Sequence, residues 1–336
     1  MAVVFMEGFD HLSAAQVTIK GWAAALNAVG TGATFTRFNS GQSGRFVNAR
    51  SDVSLGGPTY STLFCGFAFY LTAVTSADTH FYMRGAGTNV LRMTLIVSGA
   101  DRFLRLINSA GTTLATGTTN IVVNTWYHAV IKCVVNASTG AVELRLNGSS
   151  SAEMSASSVN TGSTNIDTLS FETGNSQQMY VDDIYCNDTT GSSPTNDWMG
   201  DCRIETLMPN GNGANTAWTG VYTDWDDPLL HDGDTTFVSS STPGDRETST
   251  LADLVGTATS VYAVQTNLIS RKDDAGTRTI APVIRISSTD YDGTTTAGLT
   301  ASYLDYRQIY DRLDPSGATW AASTVNAMEA GAKEVA

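Results

Sequence analysis

The stretch IVVNTWYHAVIKCVV (121–135), NASTG (136–140), AVELRLNG (141–148) decides how this chain folds. In its last part Val142, Leu144 and Leu146 point one way, and Glu143, Arg145 and Asn147 the other. Alternation with a period of two marks a strand with one dry and one wet face. The NASTG turn joins it to the preceding apolar run, so the pair reads as antiparallel neighbours. MYVDDIYC (179–186) is a further half-buried strand. Working outward, 1–10 and 63–71 (LFCGFAFYL) read as strands. So do Leu91–Val97, on which Leu91, Met93, Leu95 and Val97 share a face, and Arg102–Ile107 and Ile166–Phe171. Gly21 to Ala28 reads as a brief helical turn or loop. Short strands at this spacing, separated by turn signals, predict a sandwich or barrel.

The polar stretch NDTTGSSPTND (187–197) contains almost nothing apolar and reads as a connection between domains. The predicted organisation is all-β, two antiparallel β-sandwich (jelly-roll) domains in tandem, spanning 1–188 and 189–336. In the second, strands are expected over Trp198–Met208, Val261–Lys272, Thr277–Ile286 and Ala301–Tyr310. Pro282 hints at an edge or bulge. Residues 209–247 read as a long irregular stretch, Asp314–Gly317 as a turn and Ser323–Met328 as a single helical turn.

Composition bounds the function. The chain has 336 residues, 42% of them hydrophobic and 15% charged, so it has material for a core and too little charge for disorder. Acidic residues outnumber basic ones 32 to 19, a formal charge of −13 that opposes binding to phosphate backbones. Nucleic acid is therefore excluded as a partner. No stretch approaches the ~20 apolar residues of a membrane helix, and MAVVFMEGFD lacks the basic start of a signal peptide. No membrane partner and synthesis in the cytoplasm are the expectations. Cys65, Cys133, Cys186 and Cys202 lack CxxC spacing, and free buried thiols are expected ahead of a disulfide or metal site.

The alternation over 121–148, followed by the 179–186 strand, resembles the laminin-G / concanavalin-A-like superfamily. Four further segments are GDCRIETLMPNGNGANTAWT (200–219), DGDTTFVSSSTPGDRE (232–247), RKDDAGTRTIAPVIR (271–285) and DPSGATWAASTVNAMEAGAKEV (314–335). They resemble the C-terminal part of tailed-bacteriophage virion structural proteins that carry an N-terminal domain of that superfamily. The resemblance implies a virion-surface protein, assembled in the host cytoplasm, in a tail, fibre-associated or capsid-decoration position. It implies other virion proteins as partners and a homo-oligomer, with a trimer as one expectation. A carbohydrate-binding adhesion module for host-surface glycans is the second reading, and a polysaccharide-degrading enzyme the third.

Catalytic machinery is not expected. Glycoside hydrolysis needs two carboxyls, ~5–5.5 Å apart for retention. Glu143 has Arg145 and Asn147 as same-face neighbours, and Asp182 and Asp183, successive in a strand, place their side chains on opposite faces. His11, His80, His128 and His231 have no G-x-S-x-G partner. Trp126 reads as core packing, with a sugar platform as the alternative. The aromatic residues Trp218, Tyr222, Trp225 and Phe237 form a candidate contact patch for a neighbouring subunit or a glycan. Asp224, Asp226, Asp227, Asp232 and Asp234 are the candidate Ca2+ ligands, set against ordinary turn chemistry.

Overall fold

A computed structural model of the chain describes every residue except 1, 12, 25, 32–33, 40, 74–78, 175–176, 228–230, 257 and 314–316, together with the side chains of 39 and 79. The expected turn at 314–317 thus lies largely outside the described residues. The chain divides into two compact units. The first comprises Met1–Asp10 and Gly21–Ile204, the second His11–Lys20 and Glu205–Ala336.

The strands of the first unit, in chain order, begin with β1 (Val3–Glu7), β2 (Ala28–Gly30), β3 (Ser43–Val47), β4 (Arg50–Ser54) and β5 (Thr62–Leu71). β6 (Thr79–Gly85), β7 (Thr88–Ser98), β8 (Asp101–Asn108), β9 (Thr113–Thr116) and β10 (Trp126–Val134) follow. β11 (Gly140–Leu146), β12 (Met154–Val159), β13 (Thr168–Glu172) and β14 (Gln178–Asn187) complete it. Among the described residues they form two antiparallel sheets. One has eight strands in the order β12-β11-β10-β5-β14-β3-β2, with β1 also on β14; the other runs β4-β13-β6-β7-β8-β9.

Their inner faces meet through aromatic side chains. Phe67 of β5 lies 4.6 Å from Phe81 and 5.3 Å from Phe171, ring centre to ring centre, and all three are buried. The hairpin read from 121–148 is β10 paired with β11, with Ile131 opposite Leu144 and Lys132 opposite Glu143. Its dry residues are the buried ones: Val142, Leu144 and Leu146. β5 is buried along almost its whole length because β10 and β14 flank it and both of its faces are covered.

Two local readings are corrected. Residues 187–197 are no free connection. The Asn187 side-chain amide donates to the carbonyls of Thr195 (2.8 Å) and Asp197 (2.9 Å), and Thr195 is fully buried, so the polar stretch folds back onto the first unit. That unit consequently runs to Ile204, past the expected boundary at 188. Trp198–Met208 is not a strand; its backbone is irregular. Of the two forms expected for 21–28, the described residues take the loop, and a short 3-10 turn precedes it at Gln16–Lys20.

The second unit is also antiparallel β. Its elements are β15 (Pro209–Thr216), β16 (Arg246–Leu251), β17 (Val264–Ser270), β18 (Ile280–Ile286), β19 (Thr289–Asp292), β20 (Leu304–Tyr310), α1 (Ala322–Ala327) and β21 (Glu329–Glu334). A five-stranded sheet runs β15-β16-β21-β18-β19, and β17 pairs with β20. Ile284, Tyr310, Trp320, Val325 and Met328 form the core between them. The Trp320 indole N–H donates to the Tyr310 carbonyl at 2.9 Å.

The 209–247 stretch is less irregular than its composition suggests, because its first residues, PNGNGANT, form β15. Half-buried and exposed positions alternate along it without one large apolar side chain. Pro282 sits inside the sheet, not at its edge. It stands opposite Ala332 of β21, and its carbonyl accepts the Gly293 N–H just past the end of β19. The missing N–H points to that same side, where no strand remains to receive it.

Candidate functional site

The aromatic loop of the second unit is held from both ends. Thr219 and Ser239 exchange backbone hydrogen bonds of 2.8 and 3.0 Å, which ties the 217–225 arm to the 236–239 arm. Gly220 lies between them at φ +116, and a Cβ there would meet Val238 at 2.9 Å. The Trp225 indole N–H donates to Ser249 Oγ on β16 at 2.9 Å, pinning that ring to the sheet. Tyr222 N–H donates to Asn212 Oδ1, and Trp218 N–H to the buried Glu247 carboxylate. Burial raises the Glu247 pKa, and the Trp218 N–H partly opposes the rise. Trp218, Tyr222 and Trp225 are half-buried. The outward apolar side chains of the two arms are Phe237, 52% exposed, and Val221, 43% exposed.

The candidate acids lie in the same region but do different work. Asp224 Oδ2 accepts the Val221 N–H. Asp234 takes the Arg271 guanidinium (2.8 Å) and the Tyr303 hydroxyl (2.7 Å), and these bonds, the Tyr303 one first, lower its pKa. Asp226 is half-buried. Asp227, His231 and Asp232 come together, one ligand atom of each within 4.8 Å of the others. Local turns also use these side chains. Asp227 accepts the Asp232 N–H, Asp232 accepts the Thr236 N–H and hydroxyl, and His231 Nδ1 accepts the Gly233 N–H at 2.8 Å. The Nδ1 lone pair of His231 is thus already taken by a backbone N–H. Ca2+ wants six to eight oxygens. The grouping of two carboxylates and one imidazole is of a different kind.

In the first unit, the outer face of the eight-stranded sheet carries the remaining chemistry. Trp126 is half-buried there and does not enter the core. It opposes Tyr70, with ring centres 5.5 Å apart. Tyr180 opposes Tyr70 from the other side, and Phe35 stacks on Tyr180 at 4.5 Å. The result is an aromatic row across three strands.

Further along the same face His128 is buried, stacked on Tyr185. Tyr185 lies flat because Gly66 has no side chain; a Cβ there would fall 2.2 Å from the Tyr185 ring. The Tyr185 hydroxyl donates to the Gly200 carbonyl at 2.6 Å. Arg145 lies over Trp198 at 3.9 Å while its Nε bonds Glu143 at 2.7 Å. With Gly148, Ser149 and Met199 these two line a cavity of about 190 Å³.

Asp182 and Asp183 do not obey the regular alternation expected of them. The strand is bulged between Asp182 and Tyr185, and Asp183 has φ +52. Both carboxyls are buried. Asp183 bonds Arg37 at 2.9 Å and accepts the Ile204 N–H at 2.7 Å; Arg37 also pairs with Asp201. Burial pushes the pKa of Asp182 well up, with Asp183 and Asp10 adding to the rise. It raises Asp183 as well, although Arg37 opposes that.

The two buried histidines behave as core. The pKa of His80 is lowered to about 4 and that of His128 to about 3, both by burial. Sequence reasoning missed the Arg37 network and the Arg145–Trp198 stack. Their partners lie far apart in the chain, and no local pattern marks them.

No protein-family model matches the chain, and no curated protein matches it. Solved structures of similar outline include the "Cellulose induced protein, Cip1", at 16% identity, a TM-score of 0.38, and coverage of 52% of this chain and 95% of that one. Others are the CBM2 module of the Lactobacillus casei BL23 phage J-1 evolved Dit (13%, TM-score 0.33, 55% and 95%) and a carbohydrate esterase, vb_24B_21, from the Shiga toxin-encoding bacteriophage phi24B (13%, TM-score 0.35, 55% and 99%). Likeness this distant carries no functional argument. The all-β sandwich architecture stands on the chain's own strands and their pairing.

Proposed function

We propose that the chain is a non-enzymatic bacteriophage virion protein, displayed on the particle in a tail, fibre-associated or capsid-decoration position and working through protein–protein contacts. The observation that carries this reading is the preformed apolar rim of Phe237 and Val221, held outward on two arms that the Thr219–Ser239 backbone bonds fix. A rigid exposed aromatic side chain makes contact at little cost in conformational entropy. The virion setting comes from the resemblance of 200–219, 232–247, 271–285 and 314–335 to tailed-phage structural proteins. Other virion proteins and further copies of this chain are the partners. The groups that resemble catalytic machinery are spent on structure: two histidines in the core, Asp183 under Arg37, Glu143 on Arg145.

The test is incorporation. Particles made with the wild-type gene or with Phe237→Asp/Val221→Asp are purified, and the protein per particle is measured. The variant chain should be soluble and folded but depleted from particles. Equal incorporation of both chains would contradict this reading.

A second reading is glycan adhesion, favoured by the half-buried Trp126 and Phe35 at the ends of an outer-face aromatic row whose middle rings, Tyr70 and Tyr180, are buried beneath the surface. On this reading Trp126→Ala abolishes binding on a glycan array while the melting temperature holds.

A further inference from the structure

β5 and β14 are antiparallel neighbours in the eight-stranded sheet, and Cys65 stands directly opposite Cys186. Opposed residues of an antiparallel pair place their side chains on the same face. Here that face is the inner one, and both cysteines are fully buried. Their sulfurs are turned toward each other, 2.9 Å apart. Opposed Cα atoms in such a ladder lie roughly 4.5–5.5 Å apart. A disulfide spans roughly 4.4–6.8 Å between Cα atoms, so the register can hold the bond without moving either strand far. The other two thiols have no such partner. Cys133 faces Leu63 on one side and Val142 on the other, and Cys202 donates weakly to the Met199 carbonyl.

We propose that Cys65 and Cys186 are a latent disulfide site, closed by thiol–disulfide exchange with a low-molecular-weight disulfide such as oxidised glutathione while the chain folds. The thiolate of one cysteine attacks the small disulfide and forms a mixed disulfide, releasing one small thiol. The thiolate of the other then attacks the protein-bound sulfur and expels the second small thiol. Two protein S–H bonds are lost and one protein S–S bond forms. The small disulfide is reduced to two thiols, which take up the two protons.

Burial sets when this happens. In the folded protein the Cys186 thiol is held well above its ordinary pKa, by burial first and then by Cys65. The Cys186 thiol is therefore protonated in the native state, and both sulfurs are shielded from solvent. The unfolded chain's thiols titrate near ~8.5 and exchange freely. A chain folding where thiols are kept reduced retains the dithiol. One folding among small disulfides gains a covalent tie between two central strands. The tie closes a loop of roughly 120 residues, long enough to restrict the unfolded ensemble strongly.

The experiment uses the full chain. It is unfolded with reductant, then refolded near pH 8 either with oxidised plus reduced glutathione or with reductant alone. Each sample is alkylated in denaturant, digested and read by mass spectrometry. The oxidised sample should yield a reductant-cleavable peptide joining Cys65 to Cys186, with Cys133 and Cys202 alkylated. It should also melt several degrees above the reduced sample. Three results would overturn the proposal: both cysteines alkylated after oxidising refolding, links to Cys133 or Cys202 in comparable amount, or a 65–186 link that lowers the melting temperature.

Discussion

Arg37 holds together chemistry that its surroundings would otherwise expel. Its side chain is 10% exposed, and that of Asp183 beneath it 2%. Removing one partner of a buried ion pair strands the other charge, at a cost of about 3–5 kcal/mol. Arg37→Met should therefore lower stability at neutral pH by about that amount in urea unfolding. The loss should shrink on acidification, because an uncompensated Asp183 becomes neutral. A cost that stays constant with pH would show that Asp183 carries no charge in the folded protein.

His128 also ties stability to pH. Its folded pKa of about 3 lies below the ordinary 6.5, so the unfolded chain binds more protons between those values. Its contribution is intact above ~6.5 and is lost as pH falls toward the folded value, on the order of 3 kcal/mol by pH 4. His128→Gln should flatten that part of the pH–stability curve. The raised pKa of Asp182 adds an opposite slope, stabilising on acidification, and it should remain in the variant. At Gly66 the contact is steric. Gly66→Ala should cost about 1–3 kcal/mol in thermal denaturation, because Tyr185 must leave its position over the strand. None of these three residues announces itself in the sequence. An arginine between two phenylalanines, a histidine in an aromatic run and a glycine in a strand gain their meaning from partners far along the chain.

Elements were legible where the pattern was apolar and opaque where backbone alone does the work. β10 and β11 follow directly from the alternation of Val142, Leu144 and Leu146, and β5 from an unbroken apolar run. β15 is the contrary case. Its sequence PNGNGANT resembles a loop, yet it forms an edge strand whose alternate positions tuck against β16. The central strand β21 is Glu-Ala-Gly-Ala-Lys-Glu, and at its Gly331 the adjacent strand approaches too closely for any side chain. A Cβ on Gly331 would fall 1.9 Å from the Glu247 carbonyl oxygen, which belongs to the adjacent backbone and cannot swing aside. Gly331→Val should cost more than Gly66→Ala and leave the second unit largely unfolded, read as loss of the slowly exchanging amides of β16, β18 and β21. The 187–197 stretch misled by composition: polar residues can be buried when each finds a hydrogen bond, as Thr195 and Asn187 do. Limited proteolysis should spare it, whereas an extended connection would be cut early.

For the whole molecule, fold class was readable because period-two patterning and turn residues recur through the chain. The aromatic candidates Trp218, Tyr222, Trp225 and Phe237 do lie on one loop system, but Trp225 is committed to the sheet and Phe237 is the ring left facing out. The acids Asp224, Asp227, Asp232 and Asp234 mostly serve turns and ion pairs. Adding Ca2+ should accordingly leave the melting temperature unchanged, while a clear rise would give these carboxylates a metal to hold. The central claim is that the two β-sandwich units present surfaces on a phage particle and break no bonds. It is tested most directly by labelling purified particles with gold-conjugated antibody against this chain and viewing them by electron microscopy. The account predicts gold at a fixed position on the outside of intact particles. Unlabelled particles, with the chain recovered entirely from the soluble lysate, would contradict it.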